Sequence, residues 1–157
     1  MSGSTGDCEP GGARRVAVEN RQTALPVSND LLAQLESAGL ASLKLIGQRK
    51  LALTVIPREV SVSLLDDVMI GEVHGQYMDD PSPTDVITFP YGESGEVLIS
   101  VETAAEHAKE YAVGWEREVT LYLVHGILHL CGYEDADEEG RQRMSELQEA
   151  LLEDVLG

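Results

Sequence analysis

Apolar residues recur along this chain at two spacings, one suited to strands and one to helices. ARRVAVEN (13–20) reads as a first strand. In the segment that follows, Leu31, Leu32, Leu35 and Ala38 line one helical face, with Ser28 or Asn29 as N-cap and Gly39 as the stop. Residues 40–50 are ambiguous and can extend that helix after a break. LALTVIP (51–57) and VSVSLL (60–65) are strand-like, with Pro57 marking a bend or an edge. Residues 66–78 fit a short helix capped by Asp66 or Asp67, and 79–85 form a turn cluster. VITFP (86–90) and GEVLIS (95–100) are β-rich runs joined through a hairpin-type connection. Ser100 then caps a helix over 101–112, which Gly114 ends.

The segment WEREVTLYLVHGILHL (115–130) carries acids at its start, where they suit the positive end of a helix dipole. From Val119 on it is apolar nearly all round, the pattern of a buried central helix. A last helix over 138–156 turns Met144, Leu147, Leu151 and Val155 inward. Strands mixed with helices predict an α+β fold: a single domain with a small mixed β-sheet and about five helices around a central buried helix.

The length of 157 residues fits one domain, over 14–157, behind a disordered Gly- and Ser-rich tail at 1–13. No apolar run is long enough to span a membrane, and no secretion signal is visible. Cys8 and Cys131 make no disulfide framework and read as free thiols in a reducing cytoplasm. The net charge of −17 argues against nucleic-acid binding through a broad basic surface. An RNA-binding role therefore needs a local cationic groove or a bound metal. Lys44, Arg49 and Lys50 form the one dense basic cluster, and it reads as a solvated face.

Candidate chemistry concentrates in HGILHLCGYEDADEE (125–139). His125 and His129 stand one helical turn apart and point the same way, with Glu118 and Tyr122 near the same seam. A metal satisfies both imidazoles at once; the alternative is two core histidines bonded to backbone carbonyls. Gly132 lets the chain leave the helix in a left-handed turn and fold back towards the histidines. Asp135 is then the candidate third ligand, with Glu134 and Asp137 as competitors. Two histidines and a carboxylate leave a fourth position open for water, the catalytic zinc pattern. Asp137, Glu138 and Glu139 also suit the start of the last helix. The zinc-protease motif H-E-x-x-H is broken, because Gly126 occupies the place of its general base.

HGILHLCGYED resembles the H-G-x-L-H-L-x-G-Y-D-H signature of the YbeY-type endoribonucleases, the bacterial rRNA maturation factors. SPTDVITFPYG and GEVLIS resemble two further segments of that family, in the same order. The resemblance covers roughly residue 60 to the end. It implies a zinc-dependent endoribonuclease acting on single-stranded RNA in rRNA maturation and ribosome quality control. One zinc ion per chain would be held by His125, His129 and Asp135, and the two histidines would act through the metal's water. Asp135 inherits the place of the family's third histidine, and Met78 replaces its arginine. His74, Tyr77, Asp85 and Thr88 become candidate substrate-binding residues, with the helix near His74 and the strand near Thr88 flanking the metal. The implied partners are precursor rRNA and the small ribosomal subunit, in the cytoplasm and away from membranes. Two other readings are a ribosome assembly factor with a structural metal and a metalloprotease.

Overall fold

The computed structural model describes residues 13–78 and 84–157. The tail up to residue 12, with Cys8, and residues 79–83 of the expected turn cluster lie outside the described residues. In chain order the elements are β1 (Arg15–Asn20), α1 (Asn29–Gln48), β2 (Glu59–Leu65), α2 (Asp67–Met78), β3 (Val86–Pro90), β4 (Ser94–Ser100), α3 (Val101–Glu110), α4 (Trp115–Leu130) and α5 (Glu138–Leu156). The strands form one mixed sheet in the order β1-β2-β4-β3. β1 pairs parallel with β2 and β2 with β4, whereas β3 returns antiparallel on β4 through the expected hairpin. The α+β architecture with five helices among the described residues is thus the one the pattern predicts.

Strand alternation divides the core in two. Val60, Val62, Leu64, Val97 and Ile99 face α1, α4 and α5 in the larger cluster. Leu65, Ile87 and Leu98 face the opposite side and pack with Ile70 of α2. Helix α4 is the hub, touching α1, α3, α5, β3 and β4. Gly126 allows that approach: a Cβ there would lie 2.8 Å from Val97 Cγ1 and 3.3 Å from Thr88 Cγ2.

Local signals place several ends correctly. Ser28 accepts from the Leu31 amide, Ser100 from Thr103 and Asp137 from Gly140, each a side-chain N-cap. Asp66 accepts from the Met69 amide at 2.8 Å and so opens α2. Several expectations need correction. Gly39 does not stop α1, which runs unbroken to Gln48. A glycine inside a helix costs about 1 kcal/mol, but here a Cβ would come within 2.9 Å of Val16 Cγ1, so the bare backbone lets α1 lie on β1. Residues 51–57 form no strand. Their amides serve the end of α4 instead, Leu53 and Thr54 both donating to the Cys131 carbonyl at 2.9 and 3.1 Å. Helix α3 also stops at Glu110, ahead of the expected 112, and Ala112 then takes a φ of +54°. On α5, Leu152 joins Met144 and Leu151 in the buried row, while Leu147 and Val155 are half-buried.

Candidate metal centre

The site begins with how α4 ends. Gly132 has a φ of +107° and donates to the His129 carbonyl at 3.0 Å; Tyr133 donates to the Leu128 carbonyl at 3.1 Å. These two bonds make a Schellman motif, which needs a left-handed residue where Gly132 stands. The turn is pinned from outside by Tyr133 Oη, which donates to the Leu51 carbonyl at 2.7 Å. Reversing here swings Tyr133 and Asp135 back over the histidine face.

The three candidate ligand atoms then converge. His125 Nε2 and His129 Nε2 are 3.0 Å apart, and Asp135 Oδ2 lies 3.6 and 3.8 Å from them. The ligand–ligand edge of a tetrahedral ion with bonds of about 2.0 Å is about 3.3 Å, within that spread. Among the described residues these three form the one such His, Cys or carboxylate cluster. Asp137 is committed to the α5 cap, its Oδ1 accepting from Gly140 N at 2.7 Å, and Glu134 is exposed.

Proton placement suits the cluster to a cation. His129 Nδ1 donates to the Tyr133 carbonyl at 2.8 Å, and His125 Nδ1 donates to Gln148 Oε1 at 2.7 Å. Each ring thus spends its proton on Nδ1 and aims the Nε2 lone pair at its neighbour. Two lone pairs and a carboxylate oxygen facing one another repel unless a cation sits between them. Burial, reinforced by His125, holds His129 below the usual histidine range and so keeps it neutral for ligation. These residues fit a zinc ion by donor type, spacing and tautomer. The same donor set also suits iron or manganese.

Beside the cluster, an open cleft of about 260 Å³ is lined by His74 and Met78 of α2, Thr84, Val86 and Thr88 at β3, and His129. His74 and Thr88 therefore share a cleft with His129 of the candidate centre. Tyr77 does not: it lines a separate pocket, where its ring meets Phe89 edge-on at 5.1 Å. Asp85 Oδ1 accepts from the Val86 amide at 2.7 Å and from Thr84 Oγ1 at 3.4 Å, which orders the start of β3.

Farther along the α4 seam, Glu118 is buried, and that burial pushes its carboxyl above the usual range against the opposing pull of His107 and Arg117. Tyr122 Oη bonds His107 Nδ1 from α3, and burial raises its hydroxyl as well. Cys131 is a free, buried thiol pushed up to about 11 by burial, which makes it a packing residue.

Sequence reasoning missed Gln148, the Tyr133 carbonyl and His107. Gln148 had a signal, since it stands four residues after Met144 on the inward row of α5, where a polar side chain needs a partner. The Tyr133 carbonyl had none, because a backbone group leaves no mark in a sequence.

Comparison with known proteins bears on this geometry. The model of the family described as Endoribonuclease YbeY matches residues 17–156. Endoribonuclease YbeY of Acetivibrio thermocellus is 30% identical over 161 residues, covering 89% of this chain and 96% of that protein. Its counterpart in Caldanaerobacter subterraneus is 33% identical over 157 residues, covering 88% and 95%. The one in Fusobacterium nucleatum is 38% identical over 107 residues, 61% of this chain and 66% of that protein. Among solved structures, the solution structure of TM1509 from Thermotoga maritima superposes with a TM-score of 0.61 at 27% identity, covering 89% of this chain and 88% of that one.

Proposed function

The chain belongs to the endoribonuclease YbeY family, and on that premise we propose that it is a metal-dependent endoribonuclease cutting single-stranded RNA. Its setting is rRNA maturation and ribosome quality control in the cytoplasm, with precursor rRNA and the small ribosomal subunit as partners. The observation that carries the reading is the convergence of the His125, His129 and Asp135 lone pairs at the edge of an open cleft. One zinc ion per chain would be held there. When bound, zinc supplies Lewis acidity, polarising a phosphoryl oxygen and lowering the pKa of a water to about 7.

The chain's own residues do the positioning. Gln148 and the Tyr133 carbonyl fix both rings. His74 and Thr88 line the cleft and would touch a bound strand. Asp85 holds the start of β3 beside the cleft. The site's positive charge, once loaded, offsets part of the net charge of −17 where RNA must approach.

A second reading is favoured by one observation. Met78 lines the cleft where an arginine would grip phosphate, so the chain can serve as an assembly factor whose metal is mainly structural. The protease reading has less room. Position 126 faces Val97 and Thr88, and a side chain there would run into the sheet.

The test measures metal per purified chain, then cleavage of a single-stranded RNA with and without chelator, for the parent, His125→Ala and Asp135→Ala. The enzyme reading predicts about one metal per chain and cleavage lost in both variants and on chelation. Full metal retention in both variants sinks the ligand assignment. Metal and RNA binding without cleavage selects the assembly-factor reading.

A further inference from the structure

A second pocket, of about 500 Å³, lies on the far side of α2 from the metal cleft. That is within the size range of small-ligand sites. Its floor is apolar, made by the buried Leu65 and Leu98 of the thinly covered sheet face. Its wall is aromatic: Tyr77 and Phe89 meet edge-on, and Tyr77 keeps 63% of its surface exposed. The chain has only five tyrosines, one phenylalanine and one tryptophan. Tyr77, Phe89 and the neighbouring Tyr91 gather in this one place, with Tyr91 Oη 3.4 Å from Glu96 at the pocket's rim.

The rim is mixed in charge. Arg21 supplies donors, and its backbone is anchored by its amide, which donates to the Leu64 carbonyl at 3.0 Å. Glu72 and Glu96 supply acceptors, and Gln76 offers both. Two carboxylates repel a phosphate group but accept hydrogen bonds from the ring and exocyclic N–H groups of a base. A flat apolar slot with an exposed ring and both kinds of hydrogen-bonding group is the chemistry that recognises an unstacked nucleobase.

Position strengthens the assignment. Helix α2 shows His74 and Met78 to the metal cleft and Tyr77 and Gln76 to the pocket. On β3, Thr88 lines the cleft and Phe89 the pocket, as strand alternation requires. The two sites are thus separated by one helix, about 10 Å across with its side chains, which a few nucleotides of extended strand can cover. We infer that this pocket binds a nucleobase of the RNA strand whose phosphodiester lies in the metal cleft, with the base stacked on Tyr77 and its N–H edge turned to Glu72 and Glu96. The inference rests on the RNA reading proposed above.

The test is fluorescence anisotropy with short single-stranded RNAs, intact or carrying one abasic residue at successive positions. It is run on the full chain, Tyr77→Ala, Tyr77→Phe and Asp135→Ala, with metal content measured in parallel. Tyr77→Ala should weaken binding roughly 5- to 100-fold, the range of one lost base stack, with metal content unchanged. Tyr77→Phe should bind like the parent. One abasic position should weaken the parent similarly and add little to Tyr77→Ala. RNA bound by the parent with no dependence on Tyr77 or on any base overturns the base pocket alone and leaves it to a protein partner. No RNA bound by the parent overturns the RNA reading, and this inference with it.

Discussion

On one face of the sheet, α1, α4 and α5 bury Val60, Val62, Leu64, Val97 and Ile99; on the other, among the described residues, α2 covers Leu65, Ile87 and Leu98. The deep face carries the candidate metal ligands of α4, and the thin face carries the second pocket. The difference follows from what each site requires. A metal needs ligand atoms held to a few tenths of an ångström, and α4 supplies that because it is packed on nearly every side. A base or strand needs an open surface, and α2 leaves Tyr77 of the second pocket 63% exposed. On the proposed reading, fixed chemistry belongs to the thick layer and recognition to the thin one.

The contrast can be broken most strongly at its centre. His129→Ala should lower metal affinity by more than about 100-fold, exceeding the roughly 10- to 100-fold typical of an outer partner, as read by competition with a zinc chelator. Leu123→Ala in the deep core should cost about 2–5 kcal/mol in urea unfolding, whereas Val68→Ala on α2 should stay within about 0.5 kcal/mol; equal effects would erase the distinction between the faces. Gln148→Leu should weaken metal binding by about 10- to 100-fold while leaving the fold intact, because it frees the His125 ring without touching a ligand atom.

Acid should act in the same direction. Burial holds His129 below its unfolded value, so the folded chain binds fewer protons than the unfolded one as pH falls below about 6.5. The contribution is present above that pH and lost as pH drops through the folded value. Urea midpoints of metal-free protein and metal affinities at pH 7.5 and 5.5 should both decline, and His129→Ala should flatten the first. The smallest effect belongs to the exposed side of the cleft. Met78→Arg should raise RNA affinity modestly and steepen its dependence on log salt by about 0.7, the slope of one added single-strand phosphate contact.

What could be read from the sequence was what is decided locally. Caps at Ser28, Ser100 and Asp137 bind amides three residues ahead, and the buried stripe of α4 is written in its own composition. The reversal at Gly132 was legible for the same reason, since only a few residues determine a Schellman turn. The failures share the opposite cause. Gly39 looks like a helix stop until Val16 of a distant strand is seen against it. LALTVIP has strand-like residues, yet Leu53 and Thr54 are claimed by the Cys131 carbonyl, more than 70 positions later by the numbering. Tyr77 and His74 lie close in sequence and one turn apart on α2 but line different pockets, and only the packing of β3 reveals it.

The central claim is that Asp135 stands with His125 and His129 as ligands of one metal ion. A crystal of protein loaded with zinc, with anomalous data collected on both sides of the zinc edge, tests it most directly. The account predicts one strong peak per chain, about 2.0–2.2 Å from both Nε2 atoms and an Asp135 oxygen. A peak bound by the histidines with Asp135 turned away, or no peak at this cluster, would contradict it.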